Sequence, residues 1–210
     1  MNVEHRTLNI ELRSKENHDW RKILSEERNR NLEPLHNLSS CWRGRYYLDN
    51  DLSGKSEPVI RAEALRKVLE NLSCPISVDD EFFGGKDCYS SKSLPVGVSE
   101  EQYQLAVKAD EKRGRRNFWS GWDHMLPDYR EILSLGIGGI ITKAEKSLSK
   151  PYRSKKQKEF LKAVIIALEA FSSFILRSSQ DMEKAGRNDI AERLKRISRN
   201  PPKNLHDAMQ

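Results

Sequence analysis

Apolar residues recur at helical spacing along most of this chain, and the stretches between them are punctuated by Gly, Pro and Ser. From about His18 to Leu38, Trp20, Ile23, Leu24, Leu32 and Leu35 stand among many charges. This ragged amphipathic pattern predicts a first helix that ends at Pro34 or shortly after. Cys41 to Lys55 mixes Trp42, Tyr46 and Tyr47 with Gly44, Asn50 and Gly54, which predicts a loop whose aromatics pack onto another element. Glu57-Pro58 then opens a clear helix, with Ile60, Ala64, Leu65, Val68, Leu69 and Leu72 on one face. After Cys74-Pro75, Ile76-Ser77-Val78 predicts a short strand, followed by a turn at Asp79-Asp80-Glu81-Phe82-Phe83-Gly84-Gly85. Lys86 to Val98 predicts a loop, and Ser99 with Gln102 three places on predicts a capped helix running to about Gly114.

Asn117 to Leu126 gathers Phe118, Trp119, Trp122 and His124 around Gly121, an aromatic loop suited to sealing a core or lining a pocket. Pro127-Asp128-Tyr129 starts the next helix, whose middle is Gly136-Ile137-Gly138-Gly139. Each glycine costs a helix about 1 kcal/mol relative to Ala, so close approach by a neighbouring backbone is the expected compensation. No strand precedes this string, so it does not form a nucleotide-binding fingerprint. Ser154 to Ala185 is the longest predicted helix, and through Val164-Ile165-Ile166-Ala167-Leu168 it is apolar on every side. Such a helix needs burial all round, which a chain of this size hardly supplies. Gly186-Arg187-Asn188 breaks it, and Asp189 to Arg199 forms a further helix stopped by Asn200-Pro201-Pro202. Lys203 to Gln210 reads as the beginning of one more helical turn, as the end of a truncated product would.

Composition narrows the function classes. Hydrophobic residues make up 37% and charged residues 32%, with a formal net charge of +6 and the signs interleaved. The densest basic clusters are Lys112-Arg113 with Arg115-Arg116, and Lys155-Lys156 with Lys158. No aromatic-rich nucleic-acid motif surrounds either one, so solvated helix ends are expected and no nucleic-acid partner. Cys41, Cys74 and Cys88 are odd in number and lack paired spacing, which suggests neither a disulfide framework nor a zinc site and fits a reducing cytoplasm. Met1 to Asp19 has no apolar stretch suited to a signal peptide. The run from Phe160 to Leu176 is interrupted by Lys162 and Glu169 and is shorter than the ~20 residues that span a bilayer, so no membrane association is expected. Asp79-Asp80-Glu81 is read as carboxylates bonding local amides, and no metal is assigned.

Four stretches, taken in order, carry a resemblance. Glu57 to Leu65 leads to Ile76-Ser77-Val78-Asp79-Asp80-Glu81-Phe82-Phe83-Gly84, an apolar, polar, Asp-Asp-Glu, apolar-pair, Gly turn. His124-Met125-Leu126-Pro127-Asp128-Tyr129 leads into Leu133 and Gly136 to Ile140. Phe160 to Ala170 then precedes Asn200-Pro201-Pro202-Lys203-Asn204-Leu205-His206-Asp207-Ala208-Met209-Gln210. Together these resemble the N-terminal region of the glycyl radical enzymes, the pyruvate formate-lyase and glycerol or diol dehydratase type. The chain departs from that pattern at Gly85-Lys86-Asp87, where Gly-Asn is common, and in the short loop before Ser99.

The resemblance implies a mainly α-helical chain with one or two short strands, the N-terminal portion of a larger α/β barrel enzyme. Residues 1–56 are expected to hold a weakly specified helix and aromatic loop, and residues 57–210 a partial helical domain of that type. The family uses a protein glycyl radical, installed by an activase with S-adenosylmethionine and an iron–sulfur cluster, and passes it to a cysteine. No Cys here stands in a Cys-Val/Ile-Glu-Pro setting and no Arg-Val-x-Gly-Tyr loop occurs, so no catalytic residue and no bound cofactor are assigned and the chain is expected to be inactive alone. By resemblance, His124 helps hold a substrate hydroxyl, a role open to a neutral imidazole as donor and acceptor. Capping the helix start or satisfying buried backbone groups is the alternative for His124, and Asp128 reads as a first-turn carboxylate. The implied partners are the missing catalytic half or a homologous enzyme, with a small-molecule substrate only in the complete enzyme. The competing reading is a non-enzymatic helical module that pairs with a full-length homologue or another protein.

Overall fold

In the computed structural model, the described residues are 35–74, 76, 82–83, 88–113 and 129–210. The chain divides into two compact units, Met1–Leu35 and His36–Gln210, and the elements named here belong to the second. In order they are β1 (His36–Asn37), α1 (Leu38–Asp49), α2 (Glu57–Asn71), β2 (Ser90–Ser91), α3 (Glu100–Lys112), α4 (Tyr129–Leu148), α5 (Lys155–Lys184), α6 (Asn188–Ile197) and α7 (Leu205–Met209). The described part is mainly helical, with one antiparallel pair in which His36 lies opposite Ser91 and Asn37 opposite Ser90. The expected fold class is the observed one. The predicted helix from His18 lies outside the described residues up to Pro34, and at His36 the chain is already extended. Of the predicted strand Ile76-Ser77-Val78 only Ile76 is described, outside any regular element, while β2 falls within the stretch read as loop.

The long helix α5 is the axis of the unit and packs against α2, α4 and α6. Its start is fixed by a capping box in which Ser154 and Gln157 satisfy each other's backbone amides, and Ser99 with Gln102 does the same for α3. The largest apolar cluster joins Ile175 and Met182 of α5, Ile137 and Ile141 of α4, and Ile190, Ala191 and Leu194 of α6. A second joins Val68, Leu69 and Leu72 with Ala170 and Phe174. Burying each large side chain contributes roughly 1.5–3 kcal/mol, so these two clusters set where the helices lie. Arg177 of α5 donates from Nη2 to the carbonyls of Leu69 (2.6 Å) and Leu72 (2.5 Å), satisfying the last carbonyls of α2.

Cys41 to Lys55 corrects the sequence reading, because most of it is helix rather than loop. Asn37 caps α1 by accepting from the Ser40 amide at 2.8 Å. Gly44, which reads as a breaker, is a contact residue: a Cβ there would lie 1.8 Å from the Ala106 carbonyl oxygen, so α1 and α3 cross at backbone contact. Beside that crossing the buried Asp110 of α3 accepts from the Ser40 hydroxyl at 2.5 Å and from Arg43 at 3.0 Å through both Nε and Nη2. The aromatics of α1 do pack onto other elements, Tyr46 against Ile60 and Ala64, and Trp42 against the Val68 cluster.

Gly136 corrects a second expectation. It is not a helical glycine but adopts φ 65°, ψ 177°, which bends α4 sharply. The compensation expected for the glycine string is nonetheless present. A Cβ at Gly136 would sit 2.4 Å from the Asn200 carbonyl carbon and 2.5 Å from the Pro201 nitrogen, and the Gly138 amide donates to the Arg199 carbonyl at 2.8 Å.

Candidate functional site

Among the described residues, parts of the stretches that carry the resemblance converge in space. α6 ends at Ile197, and the arm Arg199-Asn200-Pro201 lies in the notch that Gly136 and Gly138 leave open. Pro201 and Pro202 cannot continue α6, so the chain turns there and restarts at Asn204, whose side chain accepts from the Asp207 amide at 2.9 Å and caps α7. Gln210 then reaches the turn after Asp-Asp-Glu: its side chain accepts from the Phe83 amide at 3.3 Å and donates to the Phe83 carbonyl at 3.1 Å. Phe83 also lies against Phe174, ring centroids 6.3 Å apart, one turn beyond Ala170. Ile165 and Leu168 of α5 pack on the Ile137 cluster. Phe82-Phe83, Gly136 to Ile141, the Phe160 to Ala170 helix and Asn200 to Gln210 therefore form one junction.

The electrostatic anchor of that junction is Asp207, which is buried. It accepts from Arg196 at 3.0 Å through Nε and 2.5 Å through Nη2, and from the Lys203 amide at 2.9 Å. The Arg196 guanidinium holds the Asp207 carboxyl below the usual aspartate range, and the Arg196 pKa rises in return. Next to the pair, His206 stacks on Phe82 at 6.3 Å and 22°, with the Arg193 guanidinium 5.7 Å from the same ring. A polar hollow of about 290 Å³ opens beside these groups. With its carboxylate already engaged by three donors, Asp207 is a positioning group, not an acid or base.

His124, the substrate-contacting residue implied by the resemblance, lies outside the described residues, as do Pro127, Asp128 and Asp79 to Glu81. The helix that His124 leads into, α4, is described from Tyr129 onward. The three thiols are free. Burial raises the pKa of Cys41, and burial followed by a hydrogen bond that the Cys74 thiol donates to Cys88 pushes Cys74 up to about 12, so neither is tuned as a thiolate nucleophile. Sequence spacing gave no sign that Cys74 and Cys88 are neighbours, nor that Arg196 serves Asp207. The Asn204/Asp207 spacing is the one cap signal of this junction that the sequence carries.

Residues 102–210, just over half of the chain, match the family described as PFL-like, pyruvate formate lyase-like. The chain belongs to that family. This pyruvate formate lyase-like chain is similar in fold to the glycerol-bound form of the B12-independent glycerol dehydratase from Clostridium butyricum, with TM-score 0.64 and 18% identity. It is also similar to a structure from Roseburia inulinivorans concerned with 1,2-propanediol dehydration and with substrate and enantiomer selectivity, with TM-score 0.62 and 16% identity. Each match covers 82% of the pyruvate formate lyase-like chain and 30% of the other chain, so it spans less than a third of their length. No curated protein matches it in sequence. The resemblance to glycyl radical enzymes is thus supported in both sequence and fold, although the stretch from Glu57 to Gly84 precedes the family match.

Proposed function

We propose that this chain is the N-terminal helical portion of a glycyl radical enzyme of the lyase or dehydratase type, inactive until joined by a polypeptide that carries the catalytic cysteine and glycyl loop. The observation behind this is the junction: family-like stretches far apart in sequence meet through Gly136, Asn200–Pro201, Phe83 and Gln210. In the assembled enzyme, an activase with S-adenosylmethionine and an iron–sulfur cluster supplies a glycine radical that passes to a cysteine. The residues of this chain position and bind. The Gly136 bend seats Asn200 and Pro201 against α4, the Asp207–Arg196 pair ties α7 to the end of α6, and His124, just before α4, donates to or accepts from a substrate hydroxyl. The proposed compartment is the cytoplasm; among the described residues no helix is long and apolar enough to cross a membrane.

The test is anaerobic reconstitution with the polypeptide encoded immediately downstream and a radical activase. The expected result is a glycyl radical signal and dehydration of a small diol, or cleavage of pyruvate, only in the mixture. Loss of the imidazole in His124→Ala then lowers kcat/KM by about tenfold to a hundredfold, the value of one buried hydrogen bond. A downstream frame without a cysteine segment or glycyl loop overturns the split-enzyme form of the proposal.

A second reading is favoured by Phe160, Phe171 and Leu176, which stand exposed on α5. On that reading the chain is a non-enzymatic helical module that pairs through this surface with a full-length homologue. Sedimentation of the chain mixed with a full-length homologue separates the two, because a stable, well-folded monomer that forms no complex there refutes the module.

A further inference from the structure

The basic cluster at the start of α5 borders two hollows outside the Asp207 junction. Two hollows, of about 490 and 310 Å³, lie along the turn from α4 to α5 and share Ser147 and Arg153. They form one groove. Its cations are Lys143, Lys146 and Lys150 from the last turns of α4 and the turn after it, Arg153 before the capping serine, and Lys156 in the first turn of α5. Its apolar floor includes Leu135 at one end and Phe160, 59% exposed, at the other. No carboxylate lines either hollow; Lys143 is paired with Glu131, and among the described residues the other four cations have no ion-pair partner. Arg153 is held in place: its Nη2 donates to the Ser147 hydroxyl at 2.8 Å, its guanidinium lies 5.5 Å from the Tyr152 ring, and its Nε is buried without an acceptor.

We propose that this groove binds an acidic segment of a partner protein that carries apolar side chains among its carboxylates. Charge complementarity sets the sign of the occupant: the four cations without an ion-pair partner create a local positive potential that a run of Asp or Glu neutralises. The apolar floor sets its class. A nucleic acid would leave Leu135 and Phe160 facing phosphates, whereas an amphipathic acidic peptide places a Leu or Phe in each hollow and carboxylates on the rim. Helix ends strengthen the match, because the first turn of α5 presents amide groups beside Lys156.

Fluorescence anisotropy of the full 210-residue chain with a labelled peptide of about twelve residues, in which pairs of glutamates alternate with leucine or phenylalanine, tests the proposal. Saturable binding is expected, weakening about tenfold or more in a Lys146→Glu, Lys150→Glu, Lys156→Glu variant. Phe160→Ser is expected to weaken it as well, with the fold checked by circular dichroism. A charge-matched variant on other surfaces, Lys108→Glu with Lys195→Glu and Lys203→Glu, is expected to bind nearly as the original does. Any of four results overturns the proposal: no binding, equal loss in the charge-matched variant, equal binding of a peptide with serine at every apolar position, or displacement of the peptide by single-stranded DNA at equal charge.

Discussion

Along α5, the half from Ser172 to Met182 buries Ser172, Phe174, Ile175, Ser178, Ser179 and Met182, whereas the half from Lys155 to Phe171 buries only Ala163 and Ala170. The earlier half is the richer in apolar residues, and both are helical. In the second half α2, α4 and α6 close over the side chains, and Met182 is 1% exposed. In the first half the run Val164 to Leu168 is half-buried, and Phe160 and Phe171 remain 59% and 44% exposed. The contrast shows that an apolar run predicts a helix that needs cover without saying whether the same chain provides it. The later half of α5 is the more enclosed, and the earlier half, although it packs on α2 through Ala163, Ile166 and Ala167, leaves Phe160 and Phe171 exposed.

Substitutions in the two halves sharpen that contrast. Met182→Ala, in the enclosed half, removes a core side chain shared by three helices and is expected to cost about 3 kcal/mol, read as a lower urea midpoint at unchanged slope. Gly44→Ala, away from α5, should come next at about 2–3 kcal/mol, because a methyl group cannot fit 1.8 Å from the Ala106 oxygen without moving α1 off α3.

Asp207→Asn is expected to cost about 2 kcal/mol by weakening charge-assisted bonds at a buried position. The pH dependence has a definite sign. The folded-state pKa of Asp207 is depressed, so its contribution is fully present above the ordinary aspartate value of about 4 and is lost as pH falls through the lower folded value. The acid limb of a stability–pH curve should therefore be flatter in the Asn variant than in the parent. The smallest effect is reserved for the open half of α5. Phe160→Ser should change stability by no more than about 0.5 kcal/mol while reducing self-association in sedimentation, and a large loss of stability there would erase the contrast.

Helix existence was legible wherever a start signal and a periodic face coincided, as at Ser99 with Gln102 and at Pro58 before Ile60 to Leu69. It failed at α1 because Gly44 and Asn50 look like loop residues. Only the tertiary partner Ala106 shows that Gly44 is there for space. The glycine string of α4 foretold a close backbone neighbour, but not the left-handed bend at Gly136 that lets Asn200 and Pro201 in. Most of the junction was invisible in sequence, since Arg196 with Asp207 and Gln210 with Phe83 are defined by how the helices meet. The motif strings nonetheless marked the segments that form it. His124, the one residue assigned a substrate contact by resemblance, lies outside the described residues, and its role rests on reconstitution.

A piece of a larger body differs from a self-contained protein in the state of the open face of α5. Hydroxyl-radical footprinting of the pure monomer measures it directly by comparing oxidation of Phe160 and Phe171 with that of the buried Phe174. The expected result is fast labelling of Phe160 and Phe171 and slow labelling of Phe174, with the first two becoming protected once the completing polypeptide is added. Equal protection of all three rings in the free monomer would contradict the reading of this chain as one portion of a glycyl radical enzyme.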